Sequence, residues 1–317
     1  MIEANSLTGW LLLSLLVAAG SASARGLPSN LDELTPEDLR QSAIAFISAS
    51  TSPGLEGAEI DVEQSRRDSH YLRGGASFAA DVTLKGSAVD FHWGGGLVGA
   101  DLNEQLDFLH ADSRALALQL DRKVRALRGS VGVTVPVSVS TRMRAYYTAT
   151  YSQLNTRFQL YYLDNPLALE QDRTSAEAFT SSMTLEYDYS RFAGPGRWEL
   201  LAKYSGSYTE TLSDDSPYLR GWAWGQLFTS RAQLVMDTQK MFLNRPWQWR
   251  IYGGYTDFLD QSKLALGYSK LGEVGVGLGW KINIKPLDWF GWRYAGLRFG
   301  YIFGDDLRGV NIGFSAQ

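Results

Sequence analysis

The chain has 317 residues, no cysteine, 32 glycines and an aromatic set of 10 Trp, 16 Tyr and 14 Phe. The absence of cysteine excludes disulfide scaffolds, iron–sulfur clusters and thiol nucleophiles, and a supply of three histidines makes a structural zinc site a poor fit. A net charge of −4 argues against a nucleic-acid binder, which normally carries a basic surface.

The first 24 residues have the pattern of a secretory signal peptide. An apolar run covers 7–19, which is shorter than the roughly 20 residues that a membrane-spanning helix needs, and 22–24 read Ala-Ser-Ala, a cleavage motif. The start of the chain carries Glu3 and no Lys or Arg, so a buried N-terminal helix is the alternative interpretation. We interpret 1–24 as a signal peptide and 25–57 as an N-terminal segment. No other stretch approaches about 18 apolar residues, which excludes a helical membrane protein.

A short helix is predicted at 36–50. Thr35 is a suitable cap, Pro36 suits the first helical position, and the carboxylates of Glu37 and Asp38 complement the positive end of the helix. Apolar residues then recur at helical spacing at Leu39, Ala43, Phe46 and Ile47.

After residue 57 the apolar period changes from 3.6 to 2. The clearest case is 295–303, where an apolar residue occupies every second position and Gly296, Arg298 and Gly300 lie between. Similar alternation occurs at 143–151, 198–204, 247–251 and 274–284. Alternation of this length predicts strands that have one apolar face and one polar face.

A soluble sandwich and a membrane barrel both produce this alternation, and three features favour the barrel. The strands run 10 or more residues, which exceeds the usual length of about 5–6 in globular sheets. Their apolar faces end in Trp and Tyr, as interfacial girdles do, and their polar faces combine glycine with full charges, which suits a lumen. We therefore predict an all-β protein, a transmembrane antiparallel β-barrel at 58–317.

Prolines locate the connections, because proline cannot donate to a strand ladder. Pro136, Pro195, Pro246 and Pro286 fall in short breaks that alternate with longer polar stretches, as the turns and loops of outer-membrane barrels do. Twelve strands result, with ten or fourteen as alternatives. They lie at about 58–64, 70–82, 88–103, 115–135, 141–155, 174–191, 197–211, 218–240, 247–258, 264–284, 293–303 and 307–316.

The segment 102–127 is ambiguous. Its leucines follow helical spacing, so an amphipathic helix is one interpretation. Two strands joined near 110–113 is the preferred one, because alternation continues through Val131, Val133 and Val135.

The chain resembles autotransporter-type outer-membrane barrels, in particular solitary barrels that lack a passenger domain. The likeness rests on 91–97 (Phe-His-Trp-Gly-Gly-Gly-Leu), on the hairpin halves 127–135 and 143–154, and on the closing strands 297–303 and 308–314. The resemblance implies a helix that precedes a twelve-stranded barrel and occupies its pore. Two departures stand out: only 25–57 would precede the barrel, which makes passenger secretion doubtful, and the chain ends three residues after Phe314 instead of on an aromatic residue.

Candidate catalytic groups are few. His92 and Asp90 share a predicted lumen face and suggest a general base, and Glu186 and Asp188 suggest a carboxylate pair. Polar residues in a wet lumen explain both pairs more simply. The sequence has no G-x-S-x-G elbow, no metal-ligand spacing and no phosphate loop, so we expect neither catalytic residues nor cofactors.

The charged residues on predicted lumen faces are the candidate functional set. Both signs are present, so a salt-bridged interior around the helix is as plausible as a selective pore. With the helix inside, a narrow or closed channel is expected, and lumen arginines are candidate partners for Glu37 and Asp38. The lumen set comprises Asp90, His92, Arg142, Arg144, Glu186, Asp188, Glu199, Lys203, Arg250, Glu273, Lys281 and Arg298.

The resulting functional hypothesis is a bacterial outer-membrane barrel with a structural or surface role or a narrow plugged channel. The alternatives are a small-solute pore and a membrane-embedded hydrolase. Expected partners are outer-membrane lipid and, through the C-terminal strand, the barrel assembly machinery. No nucleic acid is expected to bind, and the barrel is expected to be a monomer.

Overall fold

In the part of the chain that the computed structural model describes, a 16-residue helix is followed by a large antiparallel sheet. The described residues are 36–52, 57–64, 67–83, 86–109, 115–162, 165–166, 173–194, 196–215, 219–242, 245–259, 266–281, 294–304 and 306–316. The predicted signal peptide lies outside these residues. The helix α1 is Pro36–Thr51, one residue longer than predicted. Within the described part of the chain, no helix has both the length and the hydrophobicity needed to cross a bilayer.

The strands follow closely the layout predicted from alternation. They are β1 Ala58–Gln64, β2 Arg67–Thr83, β3 Asp90–Leu109, β4 Ala115–Ser138, β5 Thr141–Tyr162, β6 Asn165–Pro166, β7 Arg173–Ala193, β8 Gly196–Asp214, β9 Trp222–Phe242, β10 Arg245–Phe258, β11 Lys270–Lys281, β12 Tyr294–Gly304 and β13 Leu307–Ala316. The two-residue β6 pairs only with the end of β5. The other twelve described strands pair in antiparallel fashion with their neighbours. β1 pairs with β13 from Ala58↔Asn311 to Val62↔Leu307 and closes the barrel, so the twelve-stranded fold is confirmed.

Consecutive connections lie at opposite ends of the barrel, and these ends differ. The end that carries 65–66, 110–114, 163–172, 215–221, 259–269 and 305–306 is named the loop end. The opposite end, the turn end, carries 84–89, 139–140, 194–195, 243–244, 282–293 and the last residue of β13. Three turn-end connections have two residues each, as the proline pattern predicted. The two-residue connections 65–66 and 305–306 beside the β1–β13 pair are shorter than the other loop-end connections.

Two prolines do not lie in connections, and the prediction was wrong there. Pro136 belongs to β4 and Pro246 to β10, and in each case the pairing register shifts immediately after the proline. A bulge close to a strand end tolerates a residue that has no N–H, which explains how both strands accommodate proline.

The ambiguous segment 102–127 forms the facing parts of β3 and β4, as preferred from the sequence. Leu102 and Leu106 lie on the buried face of β3, and Leu120 and Val124 lie on the buried face of β4. A separation of four residues returns to the same face of a helix and to the same face of a strand. This coincidence produced the helical pattern.

Side chains alternate between an inward face and an outward face along every long strand. The outward residues include a band of large, exposed apolar side chains, which in a membrane barrel contacts lipid. The band includes Leu97, Leu127, Val131, Met183, Trp198, Leu200, Val274, Val276, Leu278, Phe299 and Ile312.

A charge placed in this band is expected to destabilise the barrel. Phe299→Arg would put a guanidinium among the lipid-facing side chains of β12 and lower the free energy of unfolding by about 2–4 kcal/mol. Urea titration of the protein in lipid vesicles measures the change. Val139→Arg is the control, because Val139 is fully exposed in a turn-end connection. Equal effects of the two substitutions would contradict the assignment of the band.

Candidate functional site

The helix α1 lies inside the barrel. Phe46 and Ile47 are completely buried, and the helix packs chiefly against β9 and β8, with further contacts to β3, β4, β5 and β7. Near its N-terminus, Leu39 packs against the cluster Leu106, Phe108, Leu118 and Leu120 on the loop-end parts of β3 and β4. The helix therefore starts near the loop end and fills that half of the lumen.

Hydrogen bonds fasten α1 to the barrel along its length. Arg40 Nη1 donates to the carbonyl oxygen of Arg220 at 2.8 Å, in the loop-end connection between β8 and β9. The hydroxyls of Ser48 and Ser207 are 3.1 Å apart. Arg73 Nη2 donates at 2.7 Å to the carbonyl oxygen of Ser52, just after the helix. A cation at this position satisfies a carbonyl at the C-terminal end of the helix, where the helix dipole is negative.

A buried ion cluster lies beside the helix, and sequence reasoning missed it. Glu104 is fully buried, and its carboxylate lies 2.6 Å from Arg67 and 3.8 Å from Arg122. Arg122 Nη1 also donates to the hydroxyl of Ser42 on α1 at 2.8 Å. The sequence does carry a signal for this cluster: Glu104 is a single charge among the apolar residues on the inward face of β3, and Arg122 is a single charge among those of β4.

Glu37 pairs within its own helix. The carboxylate of Glu37 accepts hydrogen bonds from Arg40 and from Gln41, three and four residues along the same helix, so the expected pairing of Glu37 with a lumen arginine was wrong. Residues three or four positions apart are neighbours on a helix surface, so Arg40 and Gln41 reach Glu37 more readily than arginines on the barrel do. The hydrogen bonds from Arg40 and Gln41 lower the pKa of Glu37. Asp38 is half-buried beside it.

The turn-end half of the lumen contains a connected charge network. Arg144 Nη2 lies 2.7 Å from Asp81 Oδ2, and Arg144 Nη1 forms an ion pair with Glu186. Lys203 Nζ lies 3.1 Å from the other oxygen of Glu186. Thr134 donates to Asp81 at 3.0 Å and accepts from Arg144 at 3.1 Å. Five strands, β2, β4, β5, β7 and β8, are joined by this network.

His92 belongs to the same network through a partner that differs from the predicted one. His92 Nδ1 lies 2.8 Å from Asp81 Oδ1, and the imidazole ring packs on Tyr146 with its centroid 5.1 Å away. Asp81 is directly opposite His92 in the β2–β3 register, whereas Asp90 lies two residues along the same strand, in register with Thr83 and Thr134. Opposite residues of an antiparallel pair are close neighbours, which explains why the partner of His92 is Asp81 and not a residue of its own strand.

Most of the remaining predicted lumen charges lie on the inward face in local pairs. Arg142 lies 3.6 Å from Asp188, and Arg197 lies 2.6 Å from Glu199. Tyr252 donates to Glu273 at 2.7 Å. Arg250 is buried, and Arg298 lies over the Tyr252 ring at 5.7 Å from its centroid. The side chain of Lys281 lies outside the described residues.

These pairings limit the chemistry that the lumen supports. Glu186 and Asp188 share a face as predicted, but Glu186 contacts two cations and Asp188 faces Arg142, so the carboxylates act as ion-pair partners. Within the described residues, no group of three or more His, Asp or Glu side chains is arranged to hold a metal ion. The turn-end half of the lumen is therefore lined by compensated charges, and the loop-end half is apolar and contains the helix.

Comparisons with known proteins identify the type of fold. No family model and no curated sequence matches this chain. Among solved structures, the transport unit of the autotransporter AIDA-I from Escherichia coli superposes with a TM-score of 0.50 at 11% identity, covering 89% of this chain and 99% of that one. The translocator domain of autotransporter NalP from Neisseria meningitidis gives a TM-score of 0.49 at 7% identity, with 82% and 85% coverage. The β domain of the Bordetella autotransporter BrkA gives 0.48 at 11%, with 82% and 95% coverage. The fold is that of an autotransporter-type β-barrel, consistent with an outer-membrane β-barrel.

Removal of the buried carboxylate is expected to destabilise the barrel strongly. Glu104→Gln removes the carboxylate that lies beside Arg67 and the buried Arg122, and loss of one partner of a buried ion pair typically costs about 3–5 kcal/mol. Equilibrium unfolding in urea, with the protein in lipid vesicles, measures the loss. Glu59→Gln is the matched control, since the carboxylate of Glu59 is half exposed and lies 3.8 Å from His70. A loss for Glu104→Gln no larger than that of the control would show that the cluster is not structural.

Proposed function

We propose that the protein is an outer-membrane barrel whose lumen is closed at the loop end by its own helix, so that it is a narrow, plugged channel. The observation that carries this proposal is the position of α1, which is buried in the barrel and fastened near its start, its middle and its end. With the helix seated in the barrel the protein has a structural role and its lumen is closed. With the helix displaced, the same barrel is a channel.

The dimensions of the parts support a closed lumen. A helix with its side chains is about 10–12 Å across, and a twelve-stranded barrel is intermediate between small filled barrels and open porins. The lumen around α1 is lined by an extensive buried apolar cluster. Ions cross such a region poorly because its low-dielectric surface offers no solvation. The charge network in the turn-end half is separated from the loop end by this apolar region.

The lipid-facing band supports a membrane location, and the autotransporter-type fold supports the outer membrane in particular. The final strand β13 keeps its alternation, with Val310, Ile312 and Phe314 exposed on the outward face. We expect the assembly machinery to recognise this strand even though three residues follow Phe314. We propose no enzymatic role, because the paired carboxylates and the His92–Asp81 pair are engaged in structural contacts.

A small-solute pore is the second candidate, and one observation favours it. The turn-end half of the lumen is lined by charges of both signs, which suits hydrated solutes. The pore and the plugged channel differ in whether α1 must move before solutes pass.

Single-channel recording in planar bilayers tests the plug. The full chain is expected to show little conductance, and a variant without residues 36–51 is expected to conduct steadily, because the apolar filling of the loop-end half is gone. An unchanged conductance after the deletion would refute the plug and favour the pore. A shift in apparent mass between unboiled and boiled samples on a gel confirms that each variant folds.

A disulfide lock tests the plug without a deletion. The hydroxyls of Ser48 and Ser207 are 3.1 Å apart and the chain has no cysteine, so Ser48→Cys with Ser207→Cys is expected to form one defined disulfide. Rare openings of the wild type, and openings induced by mild urea, are expected to vanish in the oxidised variant and return on reduction. The two single-cysteine variants are the controls. Openings that persist in the oxidised variant would show that the helix is not the gate.

A further inference from the structure

The outward face of β5 changes from apolar to polar partway along the strand. Its outward apolar residues run from Met143 to Tyr151, a span of nine residues that matches the roughly 9–11 residues with which a strand crosses a bilayer. β5 then continues to Tyr162, and its next outward side chains, from Gln153 onward, are polar. The strand therefore extends past the lipid-facing band on the loop-end side.

The register places the same change at the same level on β3 and β4. The first of three successive outward rows is apolar and exposed, and the next two carry charges and amides. In order towards the loop end, the rows across β3, β4 and β5 are Leu97, Leu127 and Tyr151; Gly99, Arg125 and Gln153; and Asp101, Lys123 and Asn155. A boundary between lipid-facing and polar residues thus crosses three strands at the level of the lipid headgroups.

A depression of about 480 Å³ lies on this boundary. Its lining includes Leu97 and Leu127 on the side of the lipid-facing band, and Arg125 and Gln153 on the loop-end side. Gly99 contributes to the depression because it has no side chain, and a Cβ added there would meet no described atom within 4 Å. The depression therefore combines an apolar wall with a cation and an amide.

The two cations of β4 are a local positive feature of the outer wall. Arg125 and Lys123 are both exposed. Lys123 is opposite Asp101 in the register, whereas Arg125 has no acid directly opposite it on either neighbouring strand. Outward acids lie in these rows on either side, at Glu177 of β7 and at Glu59 of β1. An anion at this level of the wall is therefore attracted to β4 in particular.

Beyond the cations, the outward face is rich in amides. An amide both donates and accepts hydrogen bonds, so it suits the hydroxyl groups of a sugar. The outward amides of β3, β4 and β5 are Asn103, Gln105, Gln119, Gln153, Asn155 and Gln159. The order along these strands is apolar, cationic and then amide, which is the order of acyl chain, phosphate and sugar in a phosphorylated glycolipid.

We infer that the outward face of β3, β4 and β5 binds a phosphorylated glycolipid of the leaflet at the loop end. Its acyl chains contact Leu97 and Leu127, and its phosphate accepts charge-assisted hydrogen bonds from Arg125 and Lys123. Its sugar hydroxyls contact Gln153 and the amides beyond. Lipid covers the outward wall of any membrane barrel, so the residues at headgroup level select which lipid stays.

This inference goes beyond the plugged channel, because it concerns the outer wall of the barrel and not its lumen. The conductance of the helix deletion does not depend on the lipid, and binding of the lipid does not depend on the seating of the helix. Either proposal can fail while the other stands.

Native mass spectrometry of the folded protein in detergent tests the lipid site. The probes are diphosphorylated lipid A, the same glycolipid without its phosphates, and phosphatidylglycerol. The wild type is expected to bind lipid A at least about tenfold more tightly than either of the other two, because each lacks one of the recognised groups and a hydrogen bond to a charged group is worth a factor of this size. Equal affinity for lipid A and either of the other probes would overturn the proposal.

Removal of the two cations tests the position of the phosphate. Lys123→Gln with Arg125→Gln is expected to weaken lipid A binding at least about tenfold. Lys270→Gln with Arg308→Gln is the matched control, since it removes one lysine and one arginine from the exposed outward faces of β11 and β13. Equal losses in the two double variants would overturn the proposal, because the attraction would then be non-specific.

Filling the depression tests the site without a change of charge. Gly99→Trp is expected to weaken lipid A binding, and Gly206→Trp is the control, because Gly206 is an outward glycine of β8 at which an added Cβ also meets no described atom within 4 Å. Unchanged binding after Gly99→Trp would overturn the placement of the lipid. A gel shift on boiling confirms that each variant folds, and Gly99→Leu replaces Gly99→Trp if the latter shows none.

Discussion

The requirement that every backbone N–H and C=O group has a partner in hydrocarbon is the constraint on which this structure depends. Twelve antiparallel strands that close on themselves meet it, and closure forces side chains to alternate between lipid and lumen. The composition follows from that alternation. Large apolar and aromatic residues such as Phe299 and Trp198 face outward, whereas Gly275, Gly277 and Gly279 of β11 face inward, where larger side chains from the neighbouring strands approach closely.

A closed barrel of this size raises a second problem, which is how the lumen is filled. Strand side chains alone fill an eight-stranded barrel, and a wider barrel needs another element or water. Here the two halves of the lumen are lined differently. The helix α1 and its apolar neighbours fill the loop-end half, where the cost of the buried Glu104 is offset by Arg67 and Arg122. Paired charges around Arg144 line the turn-end half, so each charge there has a partner of opposite sign.

The sequence predicted the strands and the helix well because both depend on local periodicity. The pairing of the lumen charges depends on register, which alternation does not determine: His92 contacts Asp81 instead of Asp90 because Asp81 is opposite it across β2 and β3. Glu104 and Arg122 were overlooked because they lie among leucines, and only the assembled register brings their opposite charges together.

One side chain links the seated helix to the strand β2. Arg73 donates to the carbonyl oxygen of Ser52 at the end of α1, and Arg73 is also the residue of β2 that is paired with Ala58, the first residue of β1. The chain thus passes from the lumen into the barrel partway along β2, at Gly57, whose positive φ of 65° accommodates the change of direction. β1 then runs towards the loop end and pairs with β2 from Arg73 to Arg67. The point at which the helix ends therefore determines how far along β2 the first barrel strand begins, and the seating of the plug and the closure of the barrel are geometrically coupled.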